Sequence, residues 1–128
     1  MTTVLVGTDS VHTTAAACDY LAPRLGESDT VVFCTVPEGA VSERDAGDAG
    51  NVARTRLIEP TVEIRNPDSL PDGETVTDVL LTLAEECGAD ELLVGSTRGD
   101  PETAGDPPGS TVQQLLAETT LPVVVVTV

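Results

Sequence analysis

Short apolar runs recur along the chain and are separated by longer stretches in which apolar residues have a helical spacing. Five runs are candidate strands: TVLVGT (3–8), TVVFCTV (30–36), TVEI (61–64), ELLVGS (91–96) and PVVVVTV (122–128). Four of them are rich in valine and nearly continuous, which is typical of strands buried on both faces of a parallel sheet. The run TVEI alternates between polar and apolar residues, which indicates an edge strand.

Helices are predicted in the stretches between these runs. Residues 12–25 have one apolar face, disturbed near its end by Pro23, that consists of Ala15, Cys18, Ala22 and Leu25. Residues 74–87 have the clearest helical pattern, which Gly88 ends, and their apolar stripe consists of Val76, Val79, Leu80, Leu83, Ala84 and Cys87. Residues 110–120 predict a helix that begins at a serine cap. Residues 37–60 are less regular, and their glycines weaken the prediction of a helix from about Glu43 to Ile58.

The alternation of strands and helices predicts a single α/β domain over residues 1–128. Short connections between such elements give βαβ units, a parallel sheet and right-handed crossovers. In open sheets of this kind, ligands bind at the carboxyl ends of the strands, where the strand order reverses. Three segments lie at such ends: Gly7-Thr8-Asp9, Thr35-Val36 and the loop that begins at Gly95.

The charge balance is extreme, with 22 acidic residues, six arginines, no lysine and a formal net charge of −16. The acids are spread along the whole chain, which indicates a solvated surface. Nothing in the chain forms the basic stripe that neutralises phosphates, so nucleic acid is not expected as a partner. Self-repulsion should destabilise so small a fold in dilute salt and largely disappear near 1 M salt, where the Debye length is about 3 Å. The composition resembles that of cytoplasmic proteins from extreme halophiles, and a protein that works in high salt is expected.

Several functional classes are not expected. The sequence has no apolar run long enough to span a membrane and no basic leader, which predicts a soluble cytoplasmic protein without membrane association. Cys18, Cys34 and Cys87 lack disulfide or metal spacing and are expected to be small buried apolar residues. His12, the only histidine, is expected to be an exposed residue in a first helical turn. No nucleophile–base pair, Walker lysine or metal cluster is evident, so the protein is not expected to be an enzyme.

Three segments together resemble the universal stress protein family, and the resemblance covers essentially the whole chain. VLVGTDS is similar to the first strand of that family with its terminal aspartate, GADELLVGS to its fourth strand, and GSTVQQLLAETTLPVVVV to its last helix and strand. The resemblance implies a Rossmann-like fold, a five-stranded parallel sheet in the order 3-2-1-4-5 with helices on both faces. It also implies a homodimer, often formed through the last strand, and no assigned enzymatic substrate. Some members of the family bind ATP and others do not.

The resemblance also assigns candidate cofactor-binding residues. The positions around adenine and ribose are matched by Thr8, Asp9 and Val36, and the phosphate loop is matched by Gly95, Gly99, Gly109 and Ser110, after which Thr111 adds a further helix-start amide. Three residues separate Gly95 from Gly99 here, where ATP-binding members have two. From the residues alone, Asp9 is either a nucleotide contact or an Asx cap on the following helix. Similarly, the amides at Gly109 and Ser110 can bind phosphate whether or not the helix is capped.

The loop from Gly99 to Gly109 is unusual for a phosphate site. It includes Pro101, Pro107 and Pro108, which have no N–H to donate. Its acidic residues would repel a triphosphate, with Arg98 as the only nearby positive charge, and they are Asp100, Glu102 and Asp106. ATP is therefore expected to bind weakly or not at all. Two functions stay open: a module that senses ATP or AMP, and a ligand-free dimeric adaptor whose loop no longer binds phosphate.

The run PVVVVTV (122–128) predicts a symmetric homodimer. It is an apolar strand, and an exposed apolar edge invites pairing with another chain. Pairing of two identical edges about a two-fold axis closes the assembly. As a nucleotide sensor, such a dimer is expected to pass its state to a signalling partner that the sequence does not identify.

Overall fold

The computed structural model describes residues 1–36, 43–96 and 110–127. Within these ranges five strands alternate with four helices, in the order β1 (Thr3–Gly7), α1 (Val11–Leu21), β2 (Thr30–Cys34), α2 (Glu43–Arg56), β3 (Thr61–Ile64), α3 (Val76–Cys87), β4 (Glu91–Gly95), α4 (Ser110–Glu118) and β5 (Val123–Val126). Each predicted strand and helix is confirmed, with its ends moved by a few residues. In the described part, no helix is long and apolar enough to cross a membrane.

The five strands form one parallel sheet in the order β3-β2-β1-β4-β5. The predicted order 3-2-1-4-5 and the edge position of TVEI are both confirmed. β1 lies at the centre and pairs with both neighbours, so that Val6 is opposite Phe33 of β2 and Leu93 of β4. β3 and β5 form the two edges of the sheet.

Helices cover the sheet in pairs, and each pair has its own apolar core. On one face, Val6, Phe33 and Leu93 pack in a cluster with Leu21 of α1 and Ala53 of α2. On the other face, the sheet packs against α3 and α4 in a cluster that includes Leu5, Val32, Leu80, Leu92 and Leu115. The members of this second list are at most 2% exposed, and burying such a side chain fully is worth about 1.5–3 kcal/mol. Burial on both faces explains why the central strands have nearly continuous apolar sequences.

The buried face of α1 differs from the predicted one. The prediction placed Ala15, Cys18, Ala22 and Leu25 on it. Cys18 and Leu25 are indeed buried, but the helix otherwise buries Thr13, Thr14, Ala17 and Leu21. Ala22 is exposed and lies at the carboxyl-terminal cap of the helix. Thr14 can be buried because its hydroxyl donates to the Ser10 carbonyl at 2.9 Å and lies 3.0 Å from Thr8 Oγ1. Burying a hydroxyl costs little when it is hydrogen-bonded.

Both ends of α3 carry specific stop signals. Thr75 and Asp78 form a capping box, in which each side chain accepts a hydrogen bond from the other residue's backbone N–H, at 2.9 and 3.2 Å. Gly88 ends the helix in the left-handed conformation with φ of 66°, as its position after the apolar stripe predicted. Of that stripe, Leu80, Leu83 and Ala84 are buried, and Val76, Val79 and Cys87 are partly buried.

Two aspartates hold the beginning of β1 at the amino edge of the sheet. The Thr2 N–H donates to Asp29 Oδ1 and the Thr3 N–H donates to Asp90 Oδ2, both at 2.8 Å. The Asp90 N–H in turn donates to the Thr3 carbonyl at 2.7 Å. Asp29 also accepts from the Gly26 N–H at 2.8 Å. The N–H groups of Gly26 and then Thr2 hold the pKa of Asp29 below its ordinary value of 3.8, because they stabilise the carboxylate.

The cysteines are free thiols. Cys18 and Cys34 are buried, and burial raises the pKa of each to about 11. Both therefore stay protonated at neutral pH and are poor nucleophiles. The prediction of buried apolar cysteines is confirmed for these two, whereas Cys87 is partly buried and its thiol donates to the Ala84 carbonyl at 3.8 Å.

Candidate functional site

The carboxyl ends of β1, β2 and β4 and the amino end of α4 form the candidate site. β1 pairs with β2 on one side and with β4 on the other, so the residues that follow β1 lie between the other two strand ends. α1 packs on one face of the sheet and α4 packs on the opposite face. The strand order therefore reverses at β1, which is the position where open α/β sheets bind ligands.

Thr8 lies buried beneath this site, and its hydroxyl is hydrogen-bonded within the protein. The residue is only 7% exposed. Its N–H donates to the Cys34 carbonyl at 3.0 Å, and its hydroxyl donates to the Ser10 carbonyl at 3.0 Å. Because both groups have partners within the protein, Thr8 fixes the turn between β1 and α1. The predicted contact between Thr8 and a nucleotide could involve only its remaining backbone atoms.

Asp9 lies in that turn and is partly buried. The helix cap that the sequence allowed for Asp9 is provided by the next residue, Ser10. Ser10 has the extended backbone of an N-cap, with φ of −157° and ψ of 162°, and its Oγ accepts a hydrogen bond from the Thr13 N–H at 3.1 Å. The interpretation of Asp9 as the cap residue of α1 is therefore wrong, and its role in nucleotide binding stays a prediction.

Val36 and Gly95 lie at the ends of the two neighbouring strands. Val36 is 6% exposed and packs in the core on the α3–α4 side, so a bound ring could touch only the edge of its side chain. Gly95 ends β4 opposite Val126, and the Ser96 N–H donates to the Val126 carbonyl at 2.9 Å. The β4–β5 pairing therefore continues to the point where the candidate phosphate loop begins.

Most of the predicted phosphate loop lies outside the described residues. This applies to Arg98, Gly99 and Gly109, which fall within residues 97–109. Ser110 begins α4, and Thr111 in its first turn is partly buried. The first turn of α4 carries no acidic residue, so its amides and the positive end of the helix dipole are compatible with an anion.

The chemical groups at this edge of the sheet decide what kind of ligand the described residues could bind. His12 is exposed in the first turn of α1, as predicted. In the described part of the chain, no group of three or more His, Cys, Asp or Glu side chains could hold a metal ion. Cys34 ends β2, but its raised pKa leaves it protonated. Backbone amides, the Asp9 carboxylate and small side chains suit the recognition of a polar ligand.

The sequence analysis missed the hydroxyl cluster that fixes the β1–α1 turn. Ser10 and Thr13 hydroxyls are 3.3 Å apart, and Thr14 reaches Thr8 from the next position of the helix. A signal for part of it was present, because a serine at a strand-to-helix boundary is a favoured N-cap residue. The inward direction of Thr14 required knowledge of the packed face of α1.

No protein-family model matches the sequence, and a comparison with curated proteins also gives no match. Solved structures do match. A universal stress protein in complex with cAMP superposes with a TM-score of 0.61 at 23% identity, over 97% of this chain and 94% of that chain. A universal stress protein from Archaeoglobus fulgidus gives a TM-score of 0.62 at 18% identity, over 98% of both chains. A protein from Mycobacterium tuberculosis is 26% identical over 75% of this chain and 71% of its own, with a TM-score of 0.53.

These matches agree with the sheet topology described above. The central first strand, the reversal of strand order between β1 and β4, and the pairs of helices on opposite faces all belong to one architecture. The fold of this chain is therefore similar to that of solved universal stress proteins.

Proposed function

We propose that the chain is a non-catalytic universal stress protein that acts as a homodimeric stress-response module, and that its phosphate loop no longer binds ATP tightly. The observation that carries the second part is the composition of residues 97–109. Backbone amides do most of the phosphate binding in loops of this kind, and Pro101, Pro107 and Pro108 have none to donate. The acidic residues of the loop add repulsion that high salt weakens.

The test of this loss is a titration of the protein with MgATP by calorimetry. The measurement is made in about 2 M KCl, where the Debye length is about 2 Å and charge repulsion is largely screened. We expect no dissociation constant in the low micromolar range. A value in that range would overturn the proposal, and Gly109→Val should then abolish binding because the added side chain crowds the phosphate.

A variant that restores backbone N–H groups to the loop tests whether the missing donors are the cause of weak ATP binding. Pro107→Ala combined with Pro108→Ala returns two N–H groups to the loop. Hydrogen bonds to a charged group are worth about 1.5–3 kcal/mol each, so binding of MgATP should strengthen by at least about tenfold if either amide reaches a phosphate. Pro23→Ala, at an exposed position just after α1, is the matched control and should not change binding.

The dimer is proposed to form through the edge of β5. The two edges of the sheet differ in character. β3 contains Glu63, and Arg65 lies just after this strand. The two charged side chains are 3.8 Å apart and roughly half exposed. Charged side chains of this kind protect an edge strand from pairing with another chain. β5 consists of four valines, of which Val125 is 37% exposed, and α4 beside it has Leu116 at 59% exposure. The apolar edge is the one that gains most from pairing with a second copy.

Light scattering in about 1 M KCl, where the Debye length is about 3 Å, measures the oligomeric state. We expect a dimer for the unmodified protein and a monomer for Val125→Asp, because the carboxylate would be buried in the interface. Thr61→Asp, on the exposed edge of β3, is the control and should stay dimeric. Circular dichroism distinguishes a folded monomer from an unfolded chain. A monomeric unmodified protein, or a dimer that is split equally by both variants, would contradict this interface.

An adenine-nucleotide sensor is the second candidate function. The observation that favours it is the solved universal stress protein in complex with cAMP, which superposes on nearly the whole chain. In this function, Asp9 would bind the ribose or the base, and the helix-start amides at Ser110 and Thr111 would bind phosphate. Mass spectrometry of protein purified gently in high salt decides between the candidates, because a co-purified ATP or AMP supports the sensor and its absence supports the nucleotide-free module.

A further inference from the structure

A cleft lies beside the candidate nucleotide site, between the β2–β3 half of the sheet and the outer side of α3. Its volume is about 400 Å³, within the range of roughly 300–1,000 Å³ that is typical of small-ligand sites. The residues that line it come from the ends of β2 and β3, the loop between β3 and α3, and α3 itself. They are Cys34, Arg65, Asn66, Pro67, Pro71, Glu74, Val79, Thr82, Leu83 and Glu86.

The floor of the cleft is apolar and uncharged. Cys34 is 1% exposed and Leu83 is 9% exposed, and Val79 lies beside them, partly buried against the same core. Burial raises the pKa of the Cys34 thiol to about 11, so it stays neutral. Pro67 and Pro71 add rigid apolar walls from the loop. Such a floor favours a flat or compact apolar ring.

The loop wall is held in place by a side-chain contact with the sheet. Asn66 Oδ1 accepts a hydrogen bond from the Thr35 N–H at 2.8 Å, immediately beyond the end of β2. This bond fixes the loop where it leaves β3. The start of α3 is fixed by the capping box at Thr75, one residue after Glu74. The cleft is therefore bounded by fixed elements on both sides, and a ligand would pay little to order it.

The rim of the cleft carries one cationic and two anionic side chains, Arg65, Glu74 and Glu86. Arg65 is the only cation in the lining, and its guanidinium lies 3.8 Å from the Glu63 carboxylate outside the cleft. Glu74 and Glu86 are both exposed, and within the described residues neither carboxylate has a hydrogen bond or an ion pair. One paired cation and two unpaired carboxylates give the rim a net negative charge, which the overall charge of −16 reinforces.

We propose that this cleft binds a small organic cation, whose apolar ring rests on Cys34, Val79 and Leu83 and whose positive group meets the carboxylate of Glu86. The proposal does not depend on nucleotide binding or on the dimer. Cys34 lines this cleft, and its carbonyl accepts a hydrogen bond from the Thr8 N–H of the candidate nucleotide site. The two sites are therefore adjacent, and binding of the cation can be measured separately from binding of a nucleotide.

The test uses three probes with the same ring and different charges: benzamidine, benzamide and benzoate. Each is titrated into ¹⁵N-labelled protein in about 1 M KCl, where the Debye length of about 3 Å leaves only direct charge contacts effective. We expect benzamidine to shift the amide signals of Cys34, Arg65, Val79 and Leu83 at the lowest concentrations, benzamide to need about 2- to 5-fold more, which is the effect of one exposed ion pair, and benzoate to bind most weakly.

Variants on adjacent residues of α3 locate the site. Glu86→Gln should weaken benzamidine about 2- to 5-fold and leave benzamide unchanged, whereas Glu85→Gln, which removes an exposed carboxylate outside the cleft, should have no effect. Thr82→Trp should block all three probes by filling the cleft from an exposed position, and Glu85→Trp is its control. The ¹⁵N spectrum of each variant reports whether the fold is kept.

Five results would overturn the proposal, four of them from the probes and the variants. They are probe-induced shifts that are not concentrated at the cleft, benzoate binding as well as benzamidine, Thr82→Trp binding benzamidine normally while folded, and equal effects of Glu86→Gln and Glu85→Gln. Displacement of benzamidine by MgATP would also overturn it, because the cleft would then be part of the nucleotide site. Failure of MgATP to bind at all leaves this proposal intact and bears only on the second candidate function.

Discussion

Replacing Gly7 by alanine tests the packing of α3 against the end of β1. A Cβ added at Gly7 would lie 2.9 Å from Leu80 Cδ1, 3.1 Å from Leu80 Cδ2 and 3.4 Å from Val94 Cγ1. Carbon atoms in favourable contact are about 3.5–4.0 Å apart, so Leu80 would have to move by about 0.5–1 Å. Leu80 is 2% exposed and belongs to the core on the α3–α4 side, so it has little space to move into.

The expected cost is that of overpacking a closed core, about 1–3 kcal/mol. Gly26→Ala is the matched control, because a Cβ at Gly26 would meet nothing within 4 Å. Both substitutions reduce the entropy of the unfolded chain to the same extent, which stabilises each variant by about 0.4–1 kcal/mol. The difference in the free energy of unfolding between the two variants therefore isolates the contact with Leu80.

Urea unfolding followed by circular dichroism in about 1 M KCl measures this difference, since urea leaves the screening of charge unchanged. With a denaturant slope of about 1.5 kcal/mol per molar urea, an overpacking cost of about 1–3 kcal/mol separates the two midpoints by about 0.7–2 M. Gly7→Ala should have the lower midpoint. Equal midpoints would show that Leu80 relaxes freely, and the argument that α3 is closely packed on β1 would be wrong.

Two further predictions concern charge. Asp29→Ala should destabilise the protein at pH 7, and the difference in the free energy of unfolding between variant and unmodified protein should shrink as pH falls below 3.8. A carboxyl group whose folded pKa is lowered stabilises the fold above its unfolded pKa and loses that effect as it is protonated. Urea unfolding of both proteins at pH 7 and pH 3 measures this difference, and a difference that does not change with pH would contradict the prediction. The melting temperature should rise between low salt and about 1 M KCl as the repulsion among 22 acidic residues is screened; a melting temperature that stays level or falls would count against adaptation to high salt.

The sequence predicted the strands well because their environment is simple. β1, β2 and β4 are covered on both faces, so nearly every residue in them is apolar and no alternation has to be recognised. The edge position of β3 also followed from its alternating sequence. The strand order came from the resemblance to a family, since apolar runs alone do not say which strand lies at the centre.

The errors and omissions have a common physical cause, the satisfaction of polar groups by tertiary structure. Thr14 is wholly buried in α1 because Thr8 and Ser10 provide partners for its hydroxyl, and a hydropathy pattern cannot represent such a partner. The cap of α1 is Ser10, one residue after the Asp9 that the sequence allowed as a cap. The cleft at Cys34 depends on the path of the loop after β3, which Asn66 fixes through a long-range bond. Nucleotide contacts at Gly99 and Gly109 stay predictions, because these residues lie outside the described ranges.

The two aspartates that hold the start of β1 have a practical consequence for attaching the protein to a surface. Thr2 and Thr3 are fixed by Asp29 and Asp90, while Met1 is 96% exposed. The five residues of β1 separate this end from the crevice by about 16 Å, at about 3.3 Å per residue. An immobilisation tag joined ahead of Met1 would therefore leave from the side of the sheet opposite the candidate site. A sensor chip prepared in this way would present the crevice to dissolved nucleotides.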